Sequence, residues 1–226
     1  MFKQLRPAIM SVLVFTVITG FLFPGIVTAV AKVAFARQAN GSLIEKNGKV
    51  VGSTLIGQPF SAPGYFHPRP SAAGNGYNAG KPDDSYGGSS GTNLGPTSDK
   101  LINGIHKKLK DGKTDDPGNF DGIKDLAKQY RDENKLAANA DVPADAVTRS
   151  ASGLDPEISP ANAAVQTARV AQARGLTPDA VSKLVDDNTA GRTLGFLGDP
   201  RVNVLTLNLA LDTASPLKPV TPTPAK

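Results

Sequence analysis

The chain contains no cysteine. That absence excludes disulfides, zinc ribbons, thiol redox motifs and cysteine nucleophiles outright. Histidine is nearly as scarce, with only His67 and His106, in unlike segments. Neither a two-histidine metal site nor a Ser-His-Asp triad is signalled by such a pair. A strong charge of one sign is also missing: 25 Lys and Arg stand against 20 Asp and Glu, spread along the chain. The net +5 reads as a soluble basic surface, not a nucleic-acid footprint. GGSSGTNLG, Gly87–Gly95, lacks the Gly-Lys-Ser/Thr ending that sets a lysine on terminal phosphates. KTDDPGNFDG, Lys113–Gly122, has a calcium-loop look, but in register Pro117 takes the first ligand position and Lys128 the closing acid. No metal site and no catalytic residues are assigned.

One long apolar run is present. MFKQLRP, residues 1–7, is a short basic start, and residues 8–31 follow without a charge. As a helix the run is ~36 Å long, enough to cross a hydrocarbon core with tilt. It exceeds a signal-peptide core, so a retained anchor is expected, with a kink at Pro24-Gly25. The competing reading is a secreted protein cleaved at Ala29-Val30-Ala31. Lys3 and Arg6 before the run are balanced by Lys32 and Arg37 after it, so charge barely sets the orientation.

The remainder, residues 32–212, reads as one α+β domain with a small sheet and several helices. Asn47-Gly48 between short apolar runs predicts a hairpin. Residues 57–97 are rich in Gly, Pro, Ser and Asn, with Tyr65, Phe66, Tyr77 and Tyr86 interspersed, and predict an ordered, irregular segment that packs its rings. Ser98 caps an expected helix through Lys110, and a second helix is expected over Asp121–Leu136. The polar stretch 111–141 reads as a surface insertion, and Pro143 opens a further short helix. Ser159-Pro160 starts a helix that Gly175 stops; Thr177-Pro178 starts another, over 178–188. VNVLTLNLAL, Val202–Leu211, alternates apolar and polar positions and predicts a half-buried strand at the centre of the sheet. Residues 213–226 read as a disordered proline-rich tail.

Two places hold chemistry worth weighing. Asp155 and Glu157 lie in a turn before a helix, where acids offset the helix dipole; a spacing of two does not build a catalytic pair. Asn162, Gln166 and Arg169 share a helix face and pair internally or bind a partner. In YFHPRPSA, Tyr65–Ala72, flanking prolines hold Arg69 extended. That suits a docking element, and equally a corner whose arginine pairs internally.

Taken in order, VVGSTLIGQPF, YFHPRPSA with TNLGP, SASGLDPEISPANAAVQTARVAQARGL and LGDPRVNVLTLNLALD behind one membrane span resemble the C subunit of the bacterial Kdp-type potassium-transporting ATPase. The likeness covers about Phe2 to Asp212. It departs in the length of the 111–141 stretch, in the tail, and in Thr92 where serine is expected. The resemblance implies a single-pass subunit of the inner membrane, N-terminus cytoplasmic, soluble domain outside. It implies two partners, a channel-like potassium-binding subunit and a P-type ATPase subunit, with no nucleic acid. It implies a non-catalytic role in assembly and activity. The alternative it carries is a catalytic chaperone that binds ATP with the ATPase subunit and raises its ATP affinity. No cofactor is assigned directly, and ATP would enter through the ATPase subunit. Tyr65, Phe66, Arg69, Ser71, Gln166 and Arg169 are expected to face partners. Gly57, Gln58, Asn93, Gly95, Ser152, Gly153, Leu154, Asp155, Ser159, Pro160 and Asn203 are read as structural.

Overall fold

The computed structural model describes residues 2–73, 88–108 and 118–217. Tyr77, Tyr86, Leu109, Lys110 and most of the proline tail lie outside the described residues. The chain divides into two compact units, Met1–Leu55 and Ile56–Lys226.

The first unit is led by an apolar helix, Leu5–Ala34, whose mean hydropathy is 2.2 and none of which is buried. It is long and apolar enough to cross a membrane. Helix α1 (Leu5–Val17) passes through a π turn (Ile18–Leu22) into α2 (Phe23–Ala34). Pro24 explains the turn. Its ring has no N–H and clashes with the carbonyl four residues back, and one wide turn just before it relieves both. The π turn takes the place of the plain proline kink that the sequence suggests. After the short α3 (Ala36–Ala39), β1 (Leu43–Lys46) and β2 (Lys49–Ser53) form the expected hairpin. Asn47 and Gly48, at φ 54° and 72°, make its turn.

The second unit is α+β, as expected. Helix α4 (Asp99–Asn103) is capped by Ser98 but stops early. Gly104 takes φ 79°, and Ile105 leaves to pair with Phe120 in an isolated bridge, so the helix expected to reach Lys110 is one turn long. Helices α5 (Ile123–Glu133) and α6 (Ala144–Val147) follow near the expected places. Here a correction is needed. The part of the 111–141 stretch that is described is no mere surface insertion: Tyr130 of α5 is 8% exposed and forms a small core with Ala146 and Val147, onto which Ile123, Leu126, Leu136 and Val165 pack. Polar composition hid it, because α5 is strongly one-sided and buries only a narrow stripe.

Helices α7 (Pro160–Arg174) and α8 (Pro178–Asp187) have the expected caps: Ser159 accepts from Asn162 N, Thr177 from Ala180 N, and Gly175 ends α7 in the left-handed region. The sheet is small, ordered β3-β5-β4 and antiparallel, from Glu157–Ile158, Arg201–Asn203 and Thr189–Ala190. The second correction falls on Val202–Leu211. Only Val202 and Asn203 belong to β5; the rest is helix α9 (Val204–Ala214), with Asn203 as its cap. Val204, Leu205, Leu207, Asn208 and Leu211 are buried, a helical rather than alternating spacing. Asn208, a polar residue on the buried face, disguised the period. The third correction is the tail: Thr213 and Ala214 are helical, and Ser215 bonds to Arg174. The main core joins Phe66 to Val170 of α7, Val181 of α8, Val202 of β5, and Leu207 and Leu211 of α9.

Candidate functional site

After a turn over Ala62–Tyr65, the stretch Phe66–Ser71 runs through the second unit without belonging to a sheet. Buried backbone N–H and C=O groups need partners, and two amide side chains supply them. Asn208 of α9 accepts from Phe66 N at 2.9 Å and donates Nδ2 to Phe66 O at 3.0 Å. Gln166 of α7 accepts from His67 N at 2.7 Å and donates Nε2 to His67 O at 3.2 Å. Each amide thus mimics one residue of a neighbouring strand. Phe66, held between them, is fully buried.

The network continues inward. Gln166 Nε2 also donates to Asn162 Oδ1, which accepts from Tyr130 OH at 2.8 Å. Asn162 Nδ2 donates to Asp145, whose carboxylate also holds the N–H and hydroxyl of Ser159 at the start of α7. Burial is the main reason the Tyr130 phenol stays protonated far above its usual range.

Arginines seal the two ends. Arg169 donates to the carbonyls of Pro63 and Tyr65, to Asn134 Oδ1 and to Gln166 Oε1. Burial lowers its pKa, opposed by the nearby Glu133 carboxylate. Arg174 reaches Gly64 O, Ser215 O and the Asp212 carboxylate, and stacks 4.8 Å over the Tyr65 ring. Tyr65 OH donates to Asp212 at 3.1 Å. At the far end Arg69 donates to Asp155 at 2.7 Å and to Thr148 O. Of the two readings left open for Arg69, internal pairing is the arrangement seen. Ser71 donates to Gly153 O at 2.6 Å.

Several of the residues read as structural lie in the turn at Ser152–Asp155 and the segments bonded to it, others at helix starts. Gly57 N donates to Leu154 O, and Gln58 O accepts from Phe60 N. Ser90 N and Ser89 Oγ both donate to Ser152 O. Gly153, at φ 71°, has Ser90 O and the Ala73 methyl where a side chain would go, at 2.5 and 2.6 Å. Asp155 accepts from Glu157 N, and Glu157 pairs with Arg201. Asn93 takes φ 51°, and Gly95 O accepts from Ser98 N in the turn before α4. Pro160 is the first residue of α7, and Asn203 caps α9.

Of the residues expected to face partners, Phe66 and Gln166 are interior, at 0% and 1% exposure, and present no surface in this structure. Tyr65, Arg69, Ser71 and Arg169 are half-buried. Sequence reasoning missed Asn208 and Arg174, which lie within the quoted motifs without standing out there, and Asp145, which lies outside them. Their signal is a polar residue on an otherwise apolar helix face or a lone acid before a cap.

Beside the frame lies an open cleft of about 350 Å³ lined by His67, Glu133, Lys135 and Arg169 among others. His67 Nδ1 lies 3.3 Å from Glu133, and this hydrogen bond is the first cause holding the Glu133 carboxyl below its usual range. Elsewhere His106, Asp121 and Asp125 bring potential ligand atoms within 4.8 Å of one another, a grouping their sequence positions do not announce. Asp125 there already accepts from Gly122 N and pairs with His106, which also lowers its pKa, the backbone bond being the larger cause.

A profile of the family described as the c chain of the K+-transporting ATPase, KdpC, matches residues 5–213. The chain is 49% identical over 210 residues to the potassium-transporting ATPase KdpC subunit of Mycobacterium tuberculosis, covering 93% of this chain and 98% of the relative. It is 50% identical over 213 residues to that of Methylococcus capsulatus, covering 94% and 98%. Against that of Caulobacter sp. it is 50% identical over 217 residues, covering 96% of each. With a match along nearly its whole length, the chain belongs to the KdpC family of potassium-transporting ATPase subunits.

Proposed function

We propose that the chain is a non-catalytic accessory subunit of an ATP-driven potassium uptake complex, anchored by the Leu5–Ala34 helix. Its soluble unit stands outside the cytoplasm, where it braces the channel-like potassium-translocating subunit and stabilises the ATP-hydrolysing one. The observation that carries this reading is the consumption of the motif chemistry by the fold itself. Both Gln166 atoms already hold the His67 backbone, with Asn162 and Arg169. Arg69 pairs with Asp155 and donates to Thr148 O. Such a frame makes a rigid block for docking, since binding costs less when the surface is already ordered.

The alternative, direct ATP binding with the ATPase subunit, draws on Lys135 and Arg169 at the open cleft. The Glu133 carboxylate in the same cleft opposes a triphosphate. ATP is cytoplasmic, so an exterior domain would influence nucleotide affinity only through coupling across the membrane subunits.

Topology is the test. Ser90 is exposed and the chain is free of cysteine, so Ser90→Cys gives one reporter. Labelling of intact cells by a membrane-impermeant maleimide is expected. Labelling only after lysis would reverse the assignment and bring the ATP reading forward.

A further inference from the structure

Between β4 and β5 the chain runs out as a finger, and every residue from 190 to 200 is exposed. It is ordered by its own bonds. Thr193 and Leu197 exchange both N–H···O bonds at 2.9 Å, and Leu194 and Gly195 turn the chain at φ 54° and 83°. Arg192 and Asp199 close the stem at 2.9 Å, and Arg201 pairs with Glu157 below. The tip is apolar: Leu194 is 79% exposed, Phe196 68% and Leu197 49%. A left-handed Leu displayed to solvent on a braced hairpin has no use in the chain's own core.

We propose that this finger is a docking anchor that inserts Leu194, Phe196 and Leu197 into an uncharged apolar pocket on another subunit of the same ATPase complex. This rests on the accessory-subunit reading. Three features select that occupant. An anionic bilayer surface calls for free cations beside the apolar residues, but both stem arginines are paired. A second copy is disfavoured by area. The three side chains offer on the order of a few hundred Å², whereas a stable interface takes roughly 800 Å² per partner. A neighbouring subunit escapes that limit. A chain held in the membrane by its own span meets its partner at high effective concentration, and a small anchor then suffices. Aromatic and aliphatic side chains seated in a pocket are the usual centre of such contacts.

The experiment uses the full chain co-expressed with the other subunits, purified through a tag on the ATPase subunit. L194D/F196D should lower the co-purifying amount by about tenfold or more, while F196L should stay within about twofold of the parent. Because Leu194 and Phe196 are largely exposed, the thermal midpoint of the detergent-purified variant should match the parent. A photoreactive benzophenone amino acid placed at position 196 should crosslink to another subunit of the complex. Undiminished co-purification of L194D/F196D would overturn the proposal. So would a crosslink to lipid, to a second copy or within the chain, or no crosslink at all. If the parent chain itself fails to co-purify, the accessory-subunit reading fails first and takes the anchor with it.

Discussion

Gln166 and Asn208 do for one stretch of backbone what a neighbouring strand would do, and each is a single amide on a helix. Truncating either leaves a buried N–H and C=O of Phe66 or His67 without partners, at a cost of about 1–3 kcal/mol. Gln166→Leu and Asn208→Leu are therefore expected to lower the melting midpoint of the detergent-solubilised chain by several degrees. A thermal scan checks this, and unchanged midpoints would show that the amides are not structural. Gly153→Ala should be at least as severe, because it adds a clash with the Ser90 carbonyl to a left-handed φ. Glu133 yields a pH prediction. Its carboxyl titrates below the usual range because His67 bonds to it, so its contribution is complete above the ordinary carboxyl pKa. That contribution is lost as pH falls through the lowered folded value. Between neutral and strongly acid pH, His67→Gln should therefore lose less stability than the parent, measured as paired melting curves.

At the scale of the element, caps decide where helices begin. Ser159, Thr177 and Asn203 each accept from an N–H in the first turn of their helix. Asn203→Ala should cost about 1 kcal/mol and raise hydrogen exchange in the first turn of α9 more than at its far end. Uniform exchange along α9 would deny the cap that role. The same element explains the main misreading. Alternation over Val202–Leu211 is genuine in the letters, yet the pattern fits a helix as well once Asn208 is admitted to the buried face. Nothing local says that an asparagine will be buried; its partner, the Phe66 backbone, lies 142 residues away. The caps of α7 and α8 and the Asn47-Gly48 turn were legible because each rests on bonds within a few residues. The early end of α4 depends instead on Ile105 pairing with Phe120, a partner beyond the few residues that set a cap.

At the scale of the molecule, one apolar helix leads a soluble unit whose motifs are knotted into a frame. Removing the residues of the Leu5–Ala34 helix should release the chain from the membrane fraction, which fractionation of cells would read directly. Chain order, an apolar run long enough to cross a membrane, the helix starts and membership in a family were all contained in the sequence, because they follow from composition and from short-range bonding. So was the exclusion of cysteine chemistry. Which polar groups face inward was decided only by the tertiary structure. Gln166, Asn162 and Asn208 look like surface residues in any local window, and burial suits them only when distant backbone groups arrive to satisfy them. The exposed finger is the converse case: Leu194, Phe196 and Leu197 look like core residues, and only the fold leaves them outside.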